Sequence, residues 1–353
     1  MPRAKRPVGH SDEKPLRVLM VSGAYPTKEI PHWGTFIKSQ VDSLIAAGVE
    51  VDVIHPKPKP TFLRYATAIA HVFLRTLTGR YDVVHGHYGL WGLVARMQWT
   101  TPVVVSFLGD DLLGTPSAAN ETTPKSAAVV RMSQWLSKRV QAVIVKSEEM
   151  RRLTPSKRVF VIPNGVDFAL FHPVPRAEAR AKLGWNPDGY YILFANDPGL
   201  PVKDYPLAKA AVARLRSKGA PAELVTANGQ PHESMVWCIN ASNALLLTSI
   251  HEGSPNVVKE AMACNVPVVA TNVGDVEQVI GQTGGCYICP RDADTIAEKL
   301  LKALQRDAPT TGRDDIAYLE CSVVAQRIVE VYEYASRQAK RDKQSVLALS
   351  LNR

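Results

Sequence analysis

The stretch from Thr248 to Gln278 reads TSIHEGSPNVVKEAMACNVPVVATNVGDVEQ. An apolar run, Ala244–Thr248, leads into it with the length and composition of a strand buried on both faces. His251-Glu252-Gly253 then makes a loop. Ser254 is placed to cap a helix whose first position, Pro255, has its φ already fixed. The free amides of that first turn, with the positive end of the helix dipole, suit phosphate or sugar oxygens. Glu260 lies four residues after Asn256, on the same helix face and one turn deeper, while Glu252 stands at the mouth. Two carboxylates at different depths can accept hydrogen bonds from two separate sets of hydroxyls, as a nucleotide sugar would present them. A capped helix with a solvated Glu260 and a plain loop at Glu252 accounts for the same residues without a ligand.

Strands and helices alternate outward from this stretch in both directions. Upstream, the predicted strands are Arg17–Ser22, Val49–His55, Asp82–His85, Val103–Phe107, Ala142–Val145 and Val159–Ile162, with helices over Gly34–Ala47, Gly89–Trp99 and Ala127–Arg139. Nearer the stretch come strands Tyr190–Ala195 and Ala222–Thr226 and helices Pro206–Ser217 and Glu233–Asn240; beyond Ala263 come strands Pro267–Ala270 and Cys286–Ile288 and helix Asp292–Leu304. Such alternation predicts parallel βαβ units and an α/β architecture of two Rossmann-like, doubly wound parallel sheets facing across a cleft. We divide the chain into a basic leader at 1–15, a first domain at 16–175, a second at 176–320, and a C-terminal helix and tail at 321–353 whose helix packs back on the first domain. The tail from Arg337 reads as a fraying helix end. Neither GxGxxG nor GxxxxGK[ST] occurs, which sets aside dehydrogenases with the usual fingerprint and P-loop NTPases.

The 353 residues are 46% apolar and 21% charged, a globular composition. No apolar run approaches the roughly 18–20 residues that span a bilayer. The opening MPRAKRPVGHSDEKP lacks the apolar stretch of a secretory signal, so the sequence predicts a cytoplasmic protein. The net charge of +9 is uneven: residues 1–180 carry 24 basic and 14 acidic side chains, residues 181–353 carry 18 and 19. An anionic partner should therefore meet the first half. Within it, Thr61–Arg80 can form an amphipathic helix bearing Arg64, Arg75 and Arg80, either touching the inner face of an anionic membrane or packed on its own domain. The basic half contains no nucleic-acid-binding module. The five cysteines fit reduced thiols, and Cys286-Tyr-Ile-Cys289 reads as a buried strand rather than a zinc or redox pair.

Glu252, seven intervening residues and Glu260, followed by AMACNVPVVATNVGDVEQVI, resemble the signature of the retaining glycosyltransferase family four, whose fold is GT-B. Other segments carry the resemblance over most of the chain. Gly34-Thr-Phe-Ile-Lys-Ser-Gln40, Asp82-Val-Val-His-Gly-His87 and Ser106-Phe-Leu-Gly-Asp-Asp111 are similar to the family's first three loops. Val161–Asp167 is similar to its linker, and Val202-Lys203-Asp-Tyr-Pro-Leu-Ala208 to the start of the helix carrying its diphosphate-binding lysine.

The resemblance implies a transferase moving a hexose-type unit from a nucleotide diphosphate sugar, a UDP-sugar ahead of GDP-mannose, to a glycan or lipid-linked acceptor of polysaccharide or cell-envelope biosynthesis. Lys203 and Glu252 would be the catalytic groups. Glu260 would hold the ribose, Glu252 with the Gly253, Ser254, Pro255, Asn256 and Val257 segment the sugar and phosphate, and Gly34 would let the first loop approach the diphosphate or simply start a helix. His87, Asp110 and Asp111 are candidate acceptor or sugar contacts; the alternatives are an interior histidine and a turn. No cofactor and no metal are expected, since cationic side chains and helix ends can carry the phosphate charge. Two features depart from the family. Phe194–Lys203 has no arginine where many members place a second diphosphate clamp, and Leu108 precedes Gly109 where many carry histidine. A 2-epimerase of the same architecture and a non-catalytic sugar-nucleotide-binding subunit are the competing readings.

Overall fold

A computed structural model describes residues 14–30, 33–56, 61–115, 123–227, 231–306 and 308–351. The basic leader falls almost wholly outside them. The first unit contains strands β1 (Arg17–Ser22), β2 (Glu50–Ile54), β3 (Val83–His87), β4 (Val103–Ser106), β5 (Ala142–Val145) and β6 (Val159–Val161). Its helices are α1 (Thr35–Ala46), α2 (Thr61–Leu77), α3 (Gly89–Arg96), α4 (Asp110–Leu113), α5 (Pro124–Ser137) and α6 (Glu148–Leu153). The second opens with α7 (Arg176–Leu183), then β7 (Tyr190–Phe194), α8 (Tyr205–Ser217), β8 (Ala222–Thr226), α9 (Met235–Ala241), β9 (Ala244–Leu247) and α10 (Asn256–Ala263). It closes with β10 (Val268–Thr271), α11 (Val276–Ile280), β11 (Tyr287–Cys289), α12 (Ala293–Leu304) and α13 (Gly312–Asp315) before the long α14 (Cys321–Leu351).

Both sheets are parallel, in the orders β2-β1-β3-β4-β5-β6 and β11-β10-β9-β7-β8. The two-residue period of a strand sorts each sheet's side chains into two layers. Val18, Met20, Val83 and Val104 meet α1 and α14 on one face of the first sheet; Leu19, Val21, Val84 and Val105 meet α2, α3 and α5 on the other. In the second sheet Ile192, Phe194, Leu246 and Val269 pack under α8 and α12, while Leu193, Leu245, Leu247 and Val268 pack under α9, α10 and α11. The edge strand β2 instead turns Glu50 and Asp52 to solvent.

The chain crosses between the two cores at Pro163–Gly165: Ile162 is buried in the first and Val166 in the second. The return crossing runs beside it, with Val166 bridged to Glu320 and the Val166 amide donating to the Leu319 carbonyl at 2.9 Å. The outward crossing lies ahead of the Pro- and Arg-rich stretch 172–187, within which α7 packs against α9.

Several boundaries differ from the sequence expectation for identifiable reasons. Helix α3 stops at Arg96, short of Trp99, because the Gln98 side-chain carbonyl accepts the Thr100 and Thr101 amides and turns the chain. Helix α5 begins three residues early, capped by Thr123 with Pro124 in its first turn. Helix α14 continues to Leu351, through the stretch from Arg337 that the sequence suggests as a fraying end. No helix among the described residues is long and apolar enough to cross a membrane.

Candidate active site between the two sheets

Loops at the carboxyl ends of the two sheets face each other. The turn after β7 carries Lys203 and the loop after β9 carries Glu252. Backbone contacts bring the two together: the Ile250 amide donates to the Val202 carbonyl and the Thr248 hydroxyl to that of Lys203, each at 2.8 Å. Lys203 Nζ thereby lies 2.5 Å from Glu252 Oε1, with both side chains mostly buried. The Ser249 hydroxyl donates to the same oxygen at 2.7 Å. Asp204, in the left-handed region at φ 46°, accepts the Leu207 amide at the start of α8 and pairs with Arg291 at 2.5 Å. Arg291 also donates to the Thr248 carbonyl, so it braces the turn that presents Lys203.

Glu260 lies farther along α10, where His232 Nε2 approaches its Oε1 at 3.2 Å. Burial opposes a charge on His232, but the hydrogen bond and charge of Glu260, with Glu233 and Asp167, outweigh it and raise the His232 pKa. A group with a raised folded-state pKa adds stability that is complete below its unfolded value, about 6.5, and is lost as pH rises through the folded value. The melting-temperature advantage of the wild type over His232→Gln should therefore be greatest near pH 6 and shrink at higher pH. An equal difference at pH 6 and pH 9 would contradict this pairing.

Ser254 does not cap the helix as expected. Pro255 occupies the cap position and α10 starts at Asn256. The Ser254 hydroxyl donates instead to Asp275 at 2.6 Å and receives Lys259 Nζ at 2.5 Å. Asn256 accepts from the Asn164 side chain at 3.1 Å. Gly253 sits against the first unit, where a Cβ would meet the Leu108 carbonyl oxygen at 2.4 Å. Gly34, at φ +76°, is held against the Ala24–Tyr25 backbone, so close approach and a left-handed conformation both require glycine there.

The three acceptor-side candidates separate. Asp110 is half-exposed and reaches across the cleft to His251 Nε2 at 3.4 Å. Asp111 is enclosed, its carboxylate accepting the Gly89, Leu108 and Gly109 amides at 3.0 Å each; burial raises its pKa to about 6 against those bonds. Those three bonds make it an organiser of the loop. His87 is likewise enclosed, stacked on His85 at 4.2 Å with Nδ1 buried and unpartnered, and burial holds its pKa well below 6.5. His85 in turn links the Ser106 and Tyr332 hydroxyls, tying α14 to the first sheet. Cys286 and Cys289 are packed thiols that burial pushes up to about 11.

Sequence reasoning missed His232, His251, Lys259 and Asp275. A signal for Lys259 existed: it lies four residues before Ala263 on a helix otherwise apolar around its inner side. The histidines gave none, because their partners are distant in sequence.

Two family models match the chain: the glycosyl transferase 4-like domain over residues 39–165 and the glycosyl transferases group 1 domain over 204–306. A D-inositol 3-phosphate glycosyltransferase of Nocardioides sp. is 26% identical, over 85% of this chain and 77% of the relative. Sucrose-phosphate synthase from Thermosynechococcus elongatus superposes with a TM-score of 0.72 at 20% identity, over 90% of this chain and 98% of that one. Anabaena HepE, solved in complex with UDP and glucose, gives 0.64 at 14% identity, over 90% and 99%. The paired parallel sheets are thus those of GT-B enzymes, and the chain belongs to the group 1 glycosyl transferases.

Proposed function

We propose that this chain is a retaining transferase that moves a hexose-type sugar from a nucleotide diphosphate sugar, a UDP-sugar first and GDP-mannose second, to a glycan or lipid-linked acceptor. The observation that carries this reading is the pairing of Lys203, on the turn after β7, with Glu252, on the loop after β9, and the place of Glu260 farther along the helix that this loop opens. They offer a cation for a diphosphate, a carboxylate for sugar hydroxyls and a deeper carboxylate for a ribose. HepE, with its bound UDP and glucose, supports that choice of donor.

An arriving diphosphate competes with Glu252 for the Lys203 ammonium. Its charge shifts Lys203 towards phosphate and frees Glu252 to accept from sugar hydroxyls. Transfer then proceeds on one face of the sugar, the departing phosphate taking the acceptor's proton. The enzyme's part is to position both reactants and stabilise the leaving charge, with no fixed base and no metal. Asp110, half-exposed opposite His251, is the residue we assign to acceptor contact.

The test is a thermal-shift panel of nucleotides and nucleotide sugars followed by product analysis. A UDP-sugar should raise stability by the mass-action amount, and a glycosylated acceptor should form with the anomeric configuration kept. An epimerised donor without acceptor would establish the isomerase, and binding without any product the non-catalytic subunit.

For the anionic-membrane contact we propose a surface of the first half other than α2. Arg64 donates to the Gly23 carbonyl at 2.8 Å, and Arg75 pairs with Asp52 at 3.1 Å. Arg131, Lys138, Arg139 and Arg152 border a groove of about 630 Å³ with exposed Trp135 and Leu153 and no acidic residue among its described lining, Arg139 lying over the Trp135 ring. We assign lipid contact to this groove, where each cation near an anionic surface contributes about 1 kcal/mol. Changing Arg131, Lys138 and Arg139 together to Gln should weaken binding to phosphatidylserine vesicles about 100-fold, and Arg75→Gln should change it little. The reverse order in co-sedimentation would return the contact to α2.

A further inference from the structure

Two lysines are buried where the chain passes from one sheet to the other. Lys146 follows β5 and is enclosed within the first unit; its Nζ donates to the Ile162 carbonyl at 3.4 Å. Lys259, on α10 in the second unit, is fully buried and donates to the Asn164 carbonyl at 3.0 Å. The crossing is therefore held by one lysine side chain from each unit, at the Ile162 carbonyl on its near side and at the Asn164 carbonyl within it. Burial depresses both pKa values, Lys146 to about 7, and each charge also depends on Asp275.

Lys259 does more than hold a carbonyl. Its Nζ also reaches Ser254, whose hydroxyl donates to Asp275, and the Lys259–Asp275 separation is 4.0 Å. Ser254 is two residues from Glu252. One turn earlier on the same helix, Asn256 accepts from the Asn164 side chain. A single linker residue is thus fixed by two residues of the donor stretch, and one of those two also fixes the loop beside Glu252. A buried ammonium is costly unless paired and hydrogen-bonded, and an apolar residue would fill this volume more cheaply. Its placement between linker and loop gives it a use that core packing does not.

We propose that Lys259, acting with Ser254 and Asp275, is a positioning residue that couples the interdomain crossing to the donor loop, so that the acceptor-side unit is held in register with Glu252. The proposal rests on the reading of Glu252 to Glu260 as the donor site. Lys259 touches neither reactant; it acts through Ser254 and Asn164. Its loss should leave the donor groups within the second unit and misplace the first unit relative to them.

The test compares Lys259→Met, Lys259→Arg and the double variant Lys259→Met/Asp275→Asn in the full chain. The double variant removes both charges of the Lys259–Asp275 pair, so neither member is left buried without the other if the single variant fails to fold. Nucleotide Kd is measured with UDP, turnover with a UDP-sugar, and backbone exchange by deuterium uptake. We expect the double variant to keep its UDP Kd within threefold while kcat falls at least 30-fold. Deuterium uptake should rise together at 162–166 and 252–256. Lys259→Arg, which still donates to the Asn164 carbonyl, should recover at least a third of wild-type turnover. A kcat within threefold of wild type would overturn the proposal, as would kcat and UDP affinity falling in equal proportion. Failure of the wild type to bind UDP or any other nucleotide would defeat the donor-site reading. Uptake rising in one segment without the other would defeat the coupling itself, so the two failures are distinguishable.

Discussion

Lys203→Ala should lower turnover by about two to three orders of magnitude, with a weaker affinity for the nucleotide diphosphate. Removing one preorganised donor from a developing negative charge costs about 2.7–4 kcal/mol of transition-state stabilisation. Two features of this chain place the effect at the upper end. Phe194–Lys203 contains no arginine, so no guanidinium in that loop can take over. Arg291, near in space, is engaged by the Asp204 carboxylate and the Thr248 carbonyl. Removing the ammonium also leaves Glu252 mostly buried with Ser249 as its remaining partner, so the diphosphate would meet an uncompensated carboxylate. Steady-state release of UDP from a UDP-sugar is the measurement. Turnover within tenfold of wild type would show that the leaving-group charge is borne elsewhere.

What the sequence revealed and what it hid follow the range of the interactions concerned. Strands such as β1 and β5 match their expected limits because both faces of a parallel sheet are covered and the apolar run is the strand itself. The Glu252-to-Glu260 spacing was legible for a similar reason: both carboxylates sit on one loop–helix unit whose geometry is local. Helices α4, α6, α7 and α11 span at most eight residues, too few for a helical stripe to stand out. Ser254 looked like a cap because local chemistry favours it, but Asp275 and Lys259 compete for its hydroxyl and win by tertiary contact. Asp111 beside Gly109 allowed either a ligand contact or a turn; the turn role is visible in the three amides directed at its carboxylate, a set that includes the distant Gly89 and so could not be read locally. His232 with Glu260 and Asp110 with His251 join residues far apart in the chain, a fact no window of sequence contains. The charge imbalance pointed to a half of the chain and not to a surface: Arg64 and Arg75 are engaged by the Gly23 carbonyl and Asp52, while Arg131, Lys138, Arg139 and Arg152 line a groove beside α5 with no carboxylate in its described lining.

Gly253→Ala should cost about 100-fold in turnover while leaving nucleotide binding nearly intact. The added Cβ would lie 2.4 Å from the Leu108 carbonyl oxygen and 3.2 Å from the Gly109 Cα, both in the opposite unit. Neither side can yield easily. Leu108 and Gly109 are pinned through their amides by Asp111, and behind Gly253 the Gly274 position lies so close that its own Cβ would meet the Gly253 oxygen at 2.7 Å. The strain is relieved by moving the two units apart, and a displacement of about 1 Å between reacting groups can cost about 100-fold in rate. Lys203, Glu252 and Glu260 all belong to the second unit and move with it, and alanine keeps the backbone amide by which position 253 would meet a phosphate, so UDP affinity should change by less than about threefold. Calorimetric titration with UDP and steady-state turnover of the same preparation separate the two effects. Equal losses in both would show that the methyl group damages the donor pocket itself, and no loss in either would show that the two loops part freely.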